Sequence, residues 1–301
     1  MSAIRNIRRY RDVQNWGDLP EAPIRLEHLD AGYGEIHDGW VHTKTVPFGI
    51  IAQAVEGTYI VRTPRGLITA SDGEVFITPP NMPLEITHRC RPDTKRMMIR
   101  FAHFRFSFMG AVDLFDLYDP TGSSDRQAGL VYGDLIQRML DIKAQEQGLS
   151  FPNWAHKSML AFRLLGLVLD SSVPREGYET RLAQLQQIQP LLTFIVQHIG
   201  QPLDIATLLS HCNYSRSALF SLFRSAFGQT PMEYVKSQRL GAAFRKLITT
   251  SLPVAEIAGE TGFANSFHFS REFKARFHKT PTEVRKENGI WREKTAGYPR
   301  G

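Results

Sequence analysis

Arg216 to Pro231 reads RSALFSLFRSAFGQTP, and fifty residues later Ser266 to Pro281 reads SFHFSREFKARFHKTP. Leu219, Phe223 and Phe227 stand opposite Phe269, Phe273 and Phe277, and Thr230-Pro231 opposite Thr280-Pro281. Apolar residues four apart make one face of a helix. The residues left over are donors: Arg216, Ser217, Ser221 and Arg224 in the first stretch, and Ser266, His268, Arg271, Lys274 and Arg276 in the second. Guanidinium, ammonium and hydroxyl groups on an exposed helix face suit phosphates and base edges. The chemistry on offer is binding, offered twice.

Each donor face needs a support. LDIATLLSHCNY (203–214) corresponds to LPVAEIAGETGF (252–263), so each copy is a short helix, a tight turn and a second helix. Asp204 and Pro253 suit the starts of the first helices, and Ser215 suits the N-cap of the second helix in copy one. Gly262 stands where the turn needs a positive φ, and Asn213 takes that place in copy one. Between the copies, PMEYVKSQRLGAAFRKLITTS carries Met232, Val235, Leu240, Ala243, Phe244 and Leu247 at helical spacing. About 18 residues span roughly 27 Å. With the radii of the flanking units, such a rod suits two readers placed about one duplex turn apart, ~34 Å.

Charge supports this reading. The chain of 301 residues carries a net +6, yet residues 190–301 hold fifteen Lys or Arg against eight Asp or Glu, an excess of +7. The remainder sits at −1. A basic excess confined to one third of the chain is what a nucleic-acid footprint would give, with a solvated basic surface as the alternative. A composition of 42% hydrophobic and 22% charged residues fits a soluble globular chain of two domains. No apolar run is long enough to span a membrane. The basic start, MSAIRNIRRYRDVQNW, lacks the apolar core of a secretory signal and reads as a surface arm, with a transit peptide as the alternative. Cys90 and Cys212 are too few for a disulfide framework or a four-thiolate zinc site. A cytoplasmic location follows as the expectation.

Residues 48–106 read as β-structure: FGIIAQAVEGTYIVRT, GLITASDGEVFITPP and RMMIRFAHFRFSF are separated by turn residues. Short strands at this spacing suggest a small barrel or sandwich. From Ala128 to Ser171 the period becomes helical, with Leu130, Leu135, Met139 and Ile142 before a break at Gly148–Pro152. SSVPREGYETR (171–181) reads as a linker, and everything after Leu182 as helix.

Residues 190–287, above all GFANSFHFSREFKARFHKTPTEVRK, resemble the DNA-binding domain of the AraC/XylS family of bacterial transcription regulators. The resemblance implies that Ser217, Phe220 and Ser221 in the first unit and Ser266, Phe267, His268 and Arg271 in the second face base edges. Phe220 and Phe267 either meet thymine methyls or simply pack. Arg216, Arg224, Lys274, Lys279 and Lys286 are implied phosphate contacts.

DGEVFITPPNMP (72–83) and MMIRFAHFRF are similar to the cupin-like effector barrel of arabinose-type regulators. Leu84 stands where a His is common, and His88 and His103 are isolated, so no metal and no cofactor are expected. Glu85, Arg96, Met98 and Arg100 are the expected lumen residues, with strand register able to exchange them for their alternate neighbours. A lumen Arg would either bind hydroxyls or a carboxylate, which points to a sugar or sugar acid, or pair with an acid structurally.

The implied architecture is α+β and multidomain. It comprises an N-terminal arm (1–20), a cupin-like effector-binding barrel (21–110), a helical segment that either dimerises or caps the barrel (111–172), a linker (173–183), an all-α double helix-turn-helix domain (184–289) and a tail (290–301). The implied partners are double-stranded DNA, a small-molecule effector, a second copy of the chain, and RNA polymerase if the protein activates; no membrane partner is implied. The arm, Arg5 to Arg11, either closes over the pocket, touches the DNA-binding domain or is disordered. The rival class is a metal-independent cupin-type enzyme with a helical accessory domain. The chain has no P-loop, no HExxH and no paired Cys motif, and GYGEIHDG (32–39) does not fit a dinucleotide fingerprint. A third class, an alkylation-repair regulator with a thiol acceptor, lacks its cysteine cluster.

Overall fold

The computed structural model describes residues 24–37, 39–108, 112–145 and 150–286; the arm at 1–20 and the tail at 290–301 lie outside the described residues. Eight strands come first: β1 (Ile24–His37), β2 (Trp40–Lys44), β3 (Gly49–Glu56), β4 (Thr58–Thr63), β5 (Gly66–Ser71), β6 (Val75–Thr78), β7 (Leu84–Arg89) and β8 (Arg96–Phe108). They pair antiparallel in two sheets, in the orders β1-β8-β3-β6 and β2-β7-β4-β5, with Val112–Asp113 added beside β8.

A closed barrel is therefore corrected to two facing sheets. Among the described strands no ladder joins one sheet to the other, and β6 stops at Pro79-Pro80, which have no N–H to carry it on. Ile50 and Ala52 from the first sheet meet Tyr59, Val61 and Ile86 from the second in the space between.

Strands β1 and β2 precede the segment expected to be β. Charged residues and glycines interrupt the apolar ones in β1, and β2 reads WVHTK; Gly32 in β1 leaves room for the Phe101 ring that a Cβ would strike. Helices α1 (Arg126–Gln145) and α2 (Phe151–Asp170) cover the other face of the first sheet, where Ile136 and Leu164 pack on Ile51, Phe104 and Phe106. Strands β3 and β6 are buried on both faces, hence apolar runs that only Gln53 interrupts before their last residues. Gln53 fixes α1 in place by donating to the carbonyls of Gly73 (3.0 Å) and Gly129 (2.7 Å).

The polar stretch after α2 is held rather than loose. Val173–Pro174 pairs with Tyr118–Asp119, and helix α3 (Tyr178–Gln197) already begins within the residues expected to link. Then follow α4 (Ile205–Ser210), α5 (Arg216–Phe227), α6 (Pro231–Thr249), α7 (Val254–Glu260) and α8 (Ser266–Phe277). Helices α3, α4, α5 and the start of α6 share one core. The rest of α6 with α7 and α8 shares the core of the two sheets, with Phe244 in edge contact with Phe48 at 5.9 Å between ring centroids. No helix among the described residues is long and apolar enough to cross a membrane.

Candidate nucleic-acid interface

The helix ends fall where the side chains dictate. Asp204 caps α4 by accepting from the Thr207 N–H at 2.8 Å, and Ser215 caps α5 by accepting from Ala218 at 3.3 Å. Asn265 caps α8 by accepting from His268 at 2.7 Å. Beyond each outer helix the Thr-Pro pair opens a reciprocal capping box, Thr230 with Glu233 and Thr280 with Glu283. Gly262 turns with φ +80°, as expected. Asn213 is corrected: the positive-φ residues other than glycine among those described are Asn81, Lys95 and His278, so copy one makes its turn with ordinary backbone.

Leu219, Phe223 and Ala226 of α5, and Phe269, Phe273 and Phe277 of α8, are fully buried. Burial of that stripe aims the opposite face outward. Arg216, Ser217, Ser221 and Arg224 are exposed on α5, and Ser266, Phe267, Arg271 and Lys274 on α8; His268 is half-buried. Phe267 is 80% exposed, so it does not pack. Phe220 is half-buried, with the Arg216 guanidinium 5.6 Å from its ring centroid. Lys286 is exposed and Lys279 half-exposed beyond α8. Arg276 is corrected: it turns inward, where burial lowers its pKa and Asp116 opposes that.

Sequence reasoning missed Glu272. It sits beside the α8 donors, 3.4 Å from Arg271 and 3.7 Å from His268, and accepts from Lys236 of α6 at 2.9 Å. The Lys236 hydrogen bond holds its carboxyl below the usual range. A signal existed, because copy one has Leu222 at the matching position.

The four residues expected in the lumen do not line it. Glu85 faces solvent and pairs with Arg62 at 3.3 Å, and Arg96 pairs with Glu56 at 3.1 Å. Arg100 donates to the Gly133 carbonyl at 3.1 Å on the helix side of the first sheet, and Met98 shares that parity. The alternate neighbours line the cavity between the sheets: Ile86, Ile99, Phe101 and His103, with Tyr59 and Lys44. This cavity measures about 110 Å³. Burial lowers the pKa of both His42 and His103, with Lys44 lowering each further. Its character is apolar with a basic rim, not a ring of hydroxyl binders. Among the described residues no three His, Cys, Asp or Glu side chains gather as a metal set.

A family model described as a helix-turn-helix domain matches residues 208–287. The regulatory protein SoxS of Salmonella typhimurium is 36% identical over 104 residues, which are 35% of this chain and 97% of SoxS. The arabinose operon regulatory protein of Escherichia coli is 22% identical over 246 residues, 78% of this chain and 80% of that protein. Unsaturated fatty acid bound wild-type ToxT from Vibrio cholerae superposes with a TM-score of 0.52 at 12% identity, covering 85% of this chain and 94% of ToxT. That last likeness concerns the fold alone: β-rich first, helical after.

Proposed function

The chain belongs to the AraC/XylS family of transcription regulators, and we propose that it reads its operator with α5 and α8 while the cavity between its sheets senses a small molecule. The observation that carries this reading is the pair of exposed donor faces, one on each outer helix, held by matching caps on either side of α6. Ser217, Ser221, Ser266, His268 and Arg271 are the proposed base contacts, with Phe267 against a thymine methyl. Arg216, Arg224, Lys274, Lys279 and Lys286 are the proposed phosphate contacts.

The expected sugar or sugar acid rests on Glu85 and Arg96, and both face away from the cavity. The lining of Ile86, Ile99 and Phe101 under Lys44 favours a small ligand with an apolar body and an acid group. The fatty acid named for ToxT is of that class. Two copies would pair through α1 and α2, whose Phe151, Trp154 and Met159 are exposed apolar residues. An activator built this way would contact RNA polymerase at its promoter. No observation favours the enzyme alternative.

Selection of genomic fragments by the purified chain, followed by salt titration on the selected duplex, tests the reading. Affinity should fall steeply with salt, and Lys279→Ala should lower the slope of log K against log salt by about one. Equal affinity for every fragment would overturn it.

A further inference from the structure

Arg276 leads to a second cavity. About 350 Å³ in volume, it lies between the first sheet's end and the helices of both reading units. Pro47 and the turn at Asp113–Asp116 form one wall, Arg181 of α3 another, and Tyr234 of α6 with Arg276 of α8 a third. Five arginines line it: Arg65, Arg105, Arg175, Arg181 and Arg276. The lining acids are two, Asp113 and Asp116. A third acid, Asp119, holds Arg65 and Arg175 at 2.8 Å each, and cations still outnumber carboxylates by two.

The balance matters because, Arg65 and Asp119 apart, these groups are largely withdrawn from solvent. The Nε atoms of Arg175 and Arg181 are buried and donate to no acceptor. A desolvated guanidinium N–H without a partner costs free energy, so a site that keeps several needs anionic oxygen to complete it. Asp113 is taken up by Arg105 at 3.2 Å, which leaves Asp116 as the lining acid shared by Arg175, Arg181 and Arg276. The volume falls in the range of small-ligand sites. Guanidinium forks match carboxylate and phosphate oxygens in a plane, two bonds at a time. Duplex DNA is far too large to enter.

We propose that this cavity is a second small-molecule site, separate from the cavity between the sheets. It takes a compact metabolite bearing at least two anionic groups, carboxylate or phosphate. Its walls come from the sheet region and from both reading units, so the ligand fixes their relative placement and is linked to DNA affinity. The inference stands on this cavity alone and does not require the sheet cavity to bind anything.

Calorimetric titration of the full chain at constant ionic strength tests it, with citrate as the carboxylate probe, pyrophosphate as the phosphate probe and chloride as the control. At least one probe should bind saturably at one per chain, and which one binds separates the two sources of charge. Arg181→Gln and Arg276→Gln should each weaken that binding at least tenfold, while Arg138→Gln, on the exposed face of α1, should leave it unchanged. If a glutamine variant fails to fold, Arg181→Lys keeps the charge without the fork and is held to the same tenfold criterion. No saturable binding of either probe, or undiminished binding in the variants, overturns the proposal.

Discussion

The two helix-turn-helix units carry the same apolar stripe and the same Thr-Pro capping box, but they differ in what lies beneath and beside the outer helix. Under the first unit lie α3, with Leu185, Ile188 and Leu192, and the edge of the sheet region at Val112 and Leu117. Under the second lies the core of the sheets, entered by Phe244 against Phe48. On the surface, Arg216 and Arg224 of α5 form no ion pair among the described residues, whereas Arg271 and His268 of α8 gather on Glu272. Duplication supplied two readers of similar shape. Their surroundings make them unequal: the second packs into the space between the sheets, the first only on the turn after β8, and the second's donors are already engaged.

The comparison can be broken most forcefully at Phe244. Phe244→Ala should cost about 3–5 kcal/mol of stability. In native-state hydrogen exchange it should reduce protection in β3 as well as α8, whereas Phe223→Ala should leave β3 untouched. Equal patterns in the two variants would mean that the second unit is no more coupled to the sheets than the first.

A smaller effect tests the reading faces. Arg271→Ala should lose roughly 1–3 kcal/mol on the selected duplex and little on a scrambled one, relaxing one base position. Arg224→Ala should weaken both duplexes alike. If Arg271→Ala also weakens both alike, Arg271 grips phosphate and His268 or Ser217 does the reading.

Acid should loosen the second unit. His28 is stacked on Phe48, 5.0 Å between centroids, and burial lowers its pKa to about 4, with Arg245 of α6 and Arg105 adding to the effect against Asp30. The unfolded imidazole takes a proton below about 6.5 and the folded one does not until about pH 4. Its contribution is therefore complete above 6.5 and lost as pH falls toward 4. Between pH 7.5 and 5.5 the wild-type chain should lose roughly 1 kcal/mol more than His28→Gln, read from urea unfolding at each pH.

The smallest difference lies at the ends of the outer helices. Gly228 closes α5 with φ +68°, and His278 closes α8 with φ +59°. An L side chain in that region is strained, so His278→Gly should stabilise by about 0.5–1 kcal/mol. A loss of stability instead would show that the His278 side chain contributes more than its backbone costs.

What the sequence determined by itself is local and periodic. Leu219, Phe223, Phe269 and Phe273 repeat every four residues, a spacing that defines a helix face whatever surrounds it, and Asp204, Ser215 and Thr230 mark helix starts through bonds three residues long. The helical third, the doubled unit and its outer faces were legible for that reason. Tertiary structure decided the rest. In β7 and β8 the side chains alternate, so whether Glu85 or Ile86, Arg100 or Phe101, lines the cavity depends on which face meets the partner sheet, and a shift of one residue reverses every choice. Arg276 lies near the edge of the α8 stripe, and only the wall of Asp116 and Arg181 around it turns a residue of the expected outer face into the lining of a cavity. Periodicity fixes which residues share a face; what that face meets is set by chain brought from far away in sequence.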